Sequence, residues 1–411
     1  MTREPRVLAP AEWDRWFDAL ALAFGGLPEP SEYRELMRTL TETERALAVW
    51  DDDTCVGTAG AYRFRVTVPG GELVPAAGVT LVSVAPTHRR RGVLTAMMRR
   101  QLDDVRSWGE PLALLTATEP TIYGRFGYGA ATQQLAATID TSRVALAVPE
   151  GTDDVRLREV PPAEQWVLDA CEALYAAEVP LRPGMIARTP GWERTQVSDP
   201  EESRNGRSPL RCALAERDGD VVGFTLFRVR PRRSEGVSEG TVELEHLYAS
   251  DPAAYASLWR FLFGIDLTTT LSVEGRPVDD PFQHLVLDVR RSRLRVRDAL
   301  YVRLVEVGPA LEARRYRTPV DVVLEVEDAF CPWNEGRWRL TGDTEGATCV
   351  RTADQADLAL SARELGSAYL GGTSLAALAG AGRVRELRPG ALARASAAFA
   401  SDTAPWLPHG F

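Results

Sequence analysis

Between Val79 and Gly129 the chain reads VTLVSVAPTHRRRGVLTAMMRRQLDDVRSWGEPLALLTATEPTIYGRFGYG, and it carries the residue types that hold an anion. Three arginines, Arg89, Arg90 and Arg91, run into Gly92 just where a helical repeat begins. A strand feeding an Arg- and Gly-rich helix start offers free backbone N–H groups and the positive end of the helix dipole. Both favour a phosphate. The chemistry indicated is the holding of a phosphate-bearing ligand.

The elements that must position this site are legible around it. Val79 to Val84 reads as a buried strand, followed by a turn at Pro86. Val93, Leu94, Met97, Met98, Leu102 and Val105 then recur close to the 3.6-residue period of a helix. Leu112 to Ala117 predicts a second buried strand. Upstream, 7–24 predicts a helix with Trp13, Trp16, Phe17, Leu20 and Phe24 on adjoining faces, ended by Gly25 and Gly26. Such aromatics normally belong to a core, but Phe24 at the helix end is placed to line a cleft. A second helix is expected near 31–40, then strands at 45–50 and 55–68 about the turn DDDT. Gln133 to Ile139 is expected to close this unit. The order predicts a mixed sheet between helices.

Composition removes other classes. At 411 residues the chain is too long for one core, so two or three domains are expected. The N-terminus has an early acid and no apolar core of a leader, and no run approaches the roughly 20 apolar residues of a membrane span. The expected location is the cytoplasm. Cys55, Cys171, Cys212, Cys331 and Cys349 form no C-x-x-C pair, and the four histidines are dispersed, so neither a disulfide framework nor a metal site is expected. All 48 basic residues are arginine, which excludes a Schiff-base lysine and a P-loop lysine. A net charge of −10 argues against nucleic acid and slightly favours a cationic substrate. Gly124, Gly127 and Gly129 have the spacing G-x-x-G-x-G, which does not match a dinucleotide fingerprint.

The later chain repeats and then departs. Residues 148–163 mix Pro, Gly and charge like a domain junction. LAVWDDDTCVGTAGAYRFRV (47–66) resembles LAERDGDVVGFTLFRVR (214–230), and 242–259 echoes the strand and helix of the anion stretch without its arginines. This duplication predicts a second, similar unit in which the phosphate entry is lost. The basic run Arg290, Arg291, Arg293, Arg295, Arg297 reads as a solvated face or subunit contact. From about Tyr301, Val320–Val326 and Trp338–Leu340 predict a hairpin. A strand near Leu358 and three short helices follow, the first opening on a capping box at Ser361 to Glu364. The last residues carry Trp406, Leu407 and Phe411, which are better explained by docking than by fraying, and this would fix the α-carboxylate of Phe411.

Val82-Ser83-Val84, Pro86 and Arg89-Arg90-Arg91-Gly92 resemble the acetyl-CoA motif of the GNAT superfamily of N-acetyltransferases, Gln/Arg-x-x-Gly-x-Gly/Ala, with Leu94 standing at its last position. With IYGRFGYG, the duplication, a sterol-carrier-like C-terminal unit and the terminal Phe, the whole chain resembles the Eis ("enhanced intracellular survival") family. Those are actinobacterial enzymes that acetylate aminoglycosides at several amines. The resemblance implies tandem GNAT folds, mixed α/β sheets flanked by helices, followed by a sterol-carrier-like α/β domain. Its divisions would be 1–145 (catalytic), 146–298 (degenerate) and 299–411. It implies that Val82, Ser83 and Val84 hold the acetyl and pantetheine part through backbone groups, and that Arg90, Arg91, Gly92, Val93, Leu94 and Thr95 cradle the pyrophosphate. Thr118 and Glu119 would touch acetyl-CoA further along. Tyr123 would be the general acid and the Phe411 carboxylate the general base, in a homohexamer.

These roles are chemically coherent. The tetrahedral oxyanion would rest on backbone N–H groups near Val82–Val84. A Tyr phenol near pH 10 is a credible donor to a thiolate, while an α-carboxylate near 3.5 becomes a better base when desolvated, as Trp406 and Phe411 would desolvate it. Tyr128 is expected to be structural. The acceptor expected is a primary amine of an aminoglycoside or similar polyamine; a protein lysine or endogenous polyamine is the alternative. A reading of another class is a lipid- or sterol-binding carrier with a vestigial acetyltransferase core.

Overall fold

The computed structural model describes residues 4–26 and 29–411; the first three residues, part of the segment expected to lack a leader, lie outside it. The chain forms two compact units. One comprises Met1–Thr132, Arg182–Ala187 and Asp298–Phe411; the other comprises Gln133–Leu181 and Arg188–Arg297. Among the described residues no helix is long and apolar enough to cross a membrane.

The first unit begins with β1 (Arg6–Val7), α1 (Trp13–Ala23) and α2 (Ser31–Leu40). β2 (Leu47–Asp51), β3 (Thr54–Thr67) and β4 (Leu73–Val84) form an antiparallel run. α3 (Val93–Ser107) then crosses to β5 (Leu112–Thr116), which is parallel to β4. The short helix α4 (Pro120–Tyr123) leads to β6 (Gly129–Ala130). The apolar repeat read from the sequence is the buried face of α3. Val93, Met97, Met98, Leu102 and Val105 pack with Val49, Val56, Val79 and Leu115 of the sheet. Truncating one such side chain, Met97→Ala for example, removes about 2–5 kcal/mol. In α1, Trp13, Trp16, Phe17 and Leu20 are buried while Phe24 at its end is 62% exposed.

One expectation is corrected. β7 (Gln133–Asp140) does not close the first sheet; it pairs antiparallel with Thr268–Pro277 of the second unit. The place beside β5 is taken by Leu300–Leu304, from Leu300 opposite Thr116 to Leu304 opposite Leu112. The burial of the two strands explains the choice. All five residues of Leu300–Leu304 are buried, as an interior strand requires, whereas β7 buries only alternate or adjacent stretches of its length.

The rest of the first unit is a five-stranded sheet in the order Ala347–Arg351, Gly336–Gly342, Val320–Glu327, Leu358–Ser361, Val384–Glu386. The expected hairpin is present, with Val320 opposite Gly342 and Val326 opposite Gly336. The three short helices are Ala362–Ala368, Leu375–Gly380 and Ala391–Phe399. The expected capping box is not formed. The Ser361 hydroxyl donates to the Glu364 carboxylate, which also takes Arg383, so Ser361 offers its oxygen to no helical amide.

The second unit repeats the first in outline. Its sheet contains Arg211–Arg217, Asp220–Arg230, Gly240–Ala249 and Thr268–Pro277, the last two parallel like β4 and β5, with a helix Pro252–Phe263 between them. The helix start is where the copies differ. Asp251 caps it, accepting from the N–H groups of Ala253 and Ala254 at 2.9 Å, and pairs with Arg217 at 2.8 Å. The copy's own carboxylate holds the amides that a phosphate would use. Arg290, Arg291, Arg293, Arg295 and Arg297 are all exposed, as a solvated face requires.

Candidate active site

The site begins where two strands part. β4 and β5 pair from Ala76 opposite Leu112 to Gly78 opposite Leu114, and their register goes no further. On its other side β4 carries a bulge. Thr58 faces Ser83 and Gly60 faces Thr80, so two residues of β4, Leu81 and Val82, oppose the single residue Ala59. Leu81 sits at φ 54°, a left-handed conformation that costs a residue with a Cβ about 1 kcal/mol or more. Thr58 holds it there. Its hydroxyl is 2.7 Å from the Leu81 carbonyl and 2.7 Å from the Ser83 hydroxyl, inside the sheet. Beyond the bulge the ladder resumes, with Ser83 opposite Thr58 and Val84 opposite Gly57. Thr58→Val removes both contacts without changing side-chain volume much. It is expected to lower kcat/KM about tenfold, corresponding to a loss of about 1–2 kcal/mol in positioning the bulge, as steady-state kinetics will measure.

The candidate anion end is the start of α3. Gly92 caps it at φ 82° with no side-chain cap, and Arg90 sits at φ 60°. Arg89, Arg90, Arg91 and Gly92 are exposed, while the Val93 side chain is turned into the core, leaving only its amide at the helix end. An open groove of about 590 Å³ runs from Gly92 and Thr95 along Arg99, Arg100 and Asp103. Exposed guanidinium groups beside uncapped amides fit a pyrophosphate.

Beside the upper part of β4 lies a cavity of about 350 Å³. α1 contributes Phe17, Leu20 and Ala21, and Phe24 lies just past its end; Glu29 and Tyr33 follow; β4 supplies Val79 to Val82. Thr116, Thr118, Tyr123 and Phe411 complete it. Val82, Thr118, Tyr123 and Phe411, separated by up to 329 positions in sequence, therefore face one space. Burial raises the Tyr123 phenol above its ordinary value, so it keeps its proton at neutral pH. The Tyr123 ring lies edge-on to Tyr128 at 6.1 Å, and Tyr128 itself is fully buried. Glu119 is exposed and does not line the cavity; Ser83 is buried in its bond to Thr58.

The docked chain end is built in depth. Trp406 and Leu407 are buried, and the Trp406 N–H donates to the Pro183 carbonyl at 2.8 Å. The Phe411 ring meets Phe64 edge-on at 5.1 Å. The Thr80 hydroxyl donates to a carboxylate oxygen of Phe411 at 3.0 Å. Gly78 makes the space: a Cβ there would lie 2.4 Å from the Phe64 ring and 3.2 Å from that of Phe411.

Two family models described as acetyltransferase (GNAT) domain match residues 4–131 and 184–304, and one described as sterol carrier protein domain matches 307–408. N-acetyltransferase Eis of Mycobacterium tuberculosis is 34% identical over 406 residues, 95% of each chain. The chain belongs to the Eis family of N-acetyltransferases. It is thus an acyltransferase of tandem GNAT folds with a sterol-carrier-like C-terminal domain. The Eis1 crystal structure from Mycobacterium abscessus is 33% identical and superposes with a TM-score of 0.83, covering 99% of this chain and 100% of that one. An uncharacterized N-acetyltransferase of Streptomyces avermitilis is 67% identical over the full length of both chains.

Within this Eis-family site, sequence reasoning missed Thr58, Thr80, Phe64 and Gly78. Gly78 left the one usable signal, a glycine inside a strand pattern, which marks a bulge or a close approach. The threonines left none, because Thr is an ordinary strand residue and only the register of β3 against β4 shows what their hydroxyls hold.

Proposed function

We propose that the protein transfers the acetyl group of acetyl-CoA to a primary amine held in the cavity of Phe24, Tyr123 and Phe411. The observation that carries this reading is that Tyr123 and the chain's last residue, Phe411, line one cavity at the open end of β4. In this reading Arg90, Arg91 and the amides of Gly92 to Thr95 hold the pyrophosphate, and the bulged backbone of Val82 to Val84 receives the acetyl carbonyl. The amine nitrogen forms a bond to the carbonyl carbon and gives its proton to the Phe411 carboxylate. The C–S bond then breaks, and the departing thiolate takes the Tyr123 proton. Solvent exchange returns both groups to their starting states. The aminoglycoside or polyamine acceptor, addition at several amines and the hexamer belong to the same proposal and rest on the family resemblance.

Mass spectrometry after incubation with acetyl-CoA and a panel of amines tests it: each acetyl group adds one fixed increment. A panel with no acetylated product rules the reaction out. Tyr123→Phe is expected to lower kcat about 10²-fold, the usual effect of removing a general acid, with KM for acetyl-CoA nearly unchanged. The pH dependence follows from the raised phenol. An acid acts in its protonated form, so kcat is expected to hold with rising pH and to fall only above the ordinary phenol range. A kcat that falls through a midpoint below pH 9 would assign the acid to another group.

A further inference from the structure

We propose that Cys171 and Cys212 are a redox-active dithiol, oxidised by low-molecular-weight disulfides to a bond that staples one helix of the second unit to its sheet. The site stands apart from acetyl transfer. The helix is α5 (Gln165–Glu178), which buries Val167, Leu168 and Tyr175. Cys171 stands four residues after Val167 and four before Tyr175, so it lies on the same stripe. Tyr175 fixes where the helix sits, since its ring meets that of Tyr248 in the strand Gly240–Ala249 edge-on at 5.7 Å. One turn along a helix is about 5.4 Å, close to the roughly 4.8 Å between neighbouring strands. One turn back from Tyr175, Cys171 accordingly lines a small cavity with Leu226 of the adjacent strand Asp220–Arg230, beside His246 and Tyr248. Cys212, in the next strand Arg211–Arg217, is paired directly opposite Leu226. Residues opposite one another point to one face of a sheet, so Cys212 faces α5. The two thiols are free and in hydrogen-bond contact.

Cys171 is partly exposed and Cys212 fully buried, which orders the two steps. The Cys171 thiolate attacks one sulfur of the small disulfide, whose S–S bond breaks and releases one thiolate. The Cys212 thiolate then attacks the Cys171 sulfur and expels the second. Two electrons pass from the cysteine pair to the small disulfide, and the two cysteine protons end on its two thiols. Contact with Cys212, and then burial, raise the Cys171 thiol above its ordinary value, so the exchange is slow at neutral pH. Between the two cysteines the chain passes through 182–187, which belong to the first unit. There the Pro183 carbonyl takes the Trp406 N–H, and Arg182 donates to the Ala404 carbonyl at 2.8 Å. The disulfide closes a loop of roughly forty residues that contains this strap, and it removes freedom from the unfolded chain.

The test treats the full-length protein with oxidised glutathione for hours at mildly alkaline pH, then reads intact mass, non-reducing peptide maps and thermal unfolding. Of the five free thiols two are expected to be lost, in one crosslink between Cys171 and Cys212 that dithiothreitol reverses. In Cys212→Ser and Cys212→Ala one glutathione is expected to stay on Cys171, because the resolving thiol is gone. The oxidised wild type is expected to unfold several degrees above the reduced protein, and Cys171→Ser to show no such difference. Absence of the Cys171–Cys212 crosslink overturns the proposal, as does a glutathione that remains on Cys171 in the wild type. An oxidised form no more stable than the reduced one overturns the stapling role. The wild-type crosslink decides the question even where a Cys212 variant does not fold.

Discussion

Adding a short peptide after Phe411 is expected to lower kcat by about 10²- to 10³-fold, the range for loss of a positioned general base. The KM for acetyl-CoA should stay within about twofold, because the tag leaves the Arg90–Thr95 helix start untouched. The reason is geometric. The carboxylate is held by the Thr80 hydroxyl at 3.0 Å and by the Phe411 ring against Phe64, in a space that exists only because residue 78 is a glycine. A peptide bond at Phe411 replaces the carboxylate with a neutral carbonyl, which accepts from Thr80 equally well but takes no proton. Binding and fold then survive while proton removal is lost. The same tag on the N-terminus is the control. Full turnover in the C-terminally tagged enzyme would remove Phe411 as the base. Gly78→Val should give a similar fall in kcat by displacing the ring.

Asp328→Ala is expected to cost the first unit about 3–5 kcal/mol, the range for breaking a buried ion pair from one side. Arg303 is fully buried, and one of its nitrogens reaches both oxygens of Asp328, at 2.6 and 2.8 Å. The carboxylate also accepts from the Cys331 N–H and the Asn334 side-chain amide, each at 3.0 Å. Alanine leaves a guanidinium and two further donors buried without this acceptor. The guanidinium cannot shed its proton in compensation. It also lies beneath the Tyr123 turn, since a Cβ on Gly127 would sit 2.7 Å from its central carbon. Urea unfolding followed by circular dichroism measures the shift in midpoint. A shift equivalent to less than about 1 kcal/mol would mean that water replaces the lost acceptor. Loss of acetylation at urea concentrations where the protein is still folded would show the turn loosening first.

What could be read from the sequence was whatever local periodicity encodes. The face of α3, the strands on either side of it and the glycine-terminated α1 follow from spacing alone, because each buries one face against one neighbour. The exposed Arg89–Gly92 entry and the start of α3 were legible for the same reason, since arginines, glycine and helix lie within a few residues of one another. The docking of Trp406 and Leu407 was legible from their apolarity. The strand exchange was not. Gln133–Asp140 and Leu300–Leu304 both satisfy a strand pattern, and only the need for a strand buried on both faces beside β5 decides between them. Ser361 and Glu364 have the spacing of a capping box, but Arg383, nearly twenty residues on, draws the carboxylate away. Thr58 and Thr80 act across strands, and no single stretch of sequence records such a pairing.

The placement of Leu300–Leu304 beside β5 has a consequence during synthesis. When the ribosome has made the first 145 residues, β5 has its parallel neighbour β4 but an open edge on the other side. That edge stays a row of unsatisfied backbone groups until more than 150 further residues have emerged, and such edges recruit other chains. A fragment ending near residue 145 should therefore aggregate when expressed alone. Co-expression with a peptide spanning Leu300–Leu304 should keep that fragment soluble, through the contacts that the intact chain makes with itself.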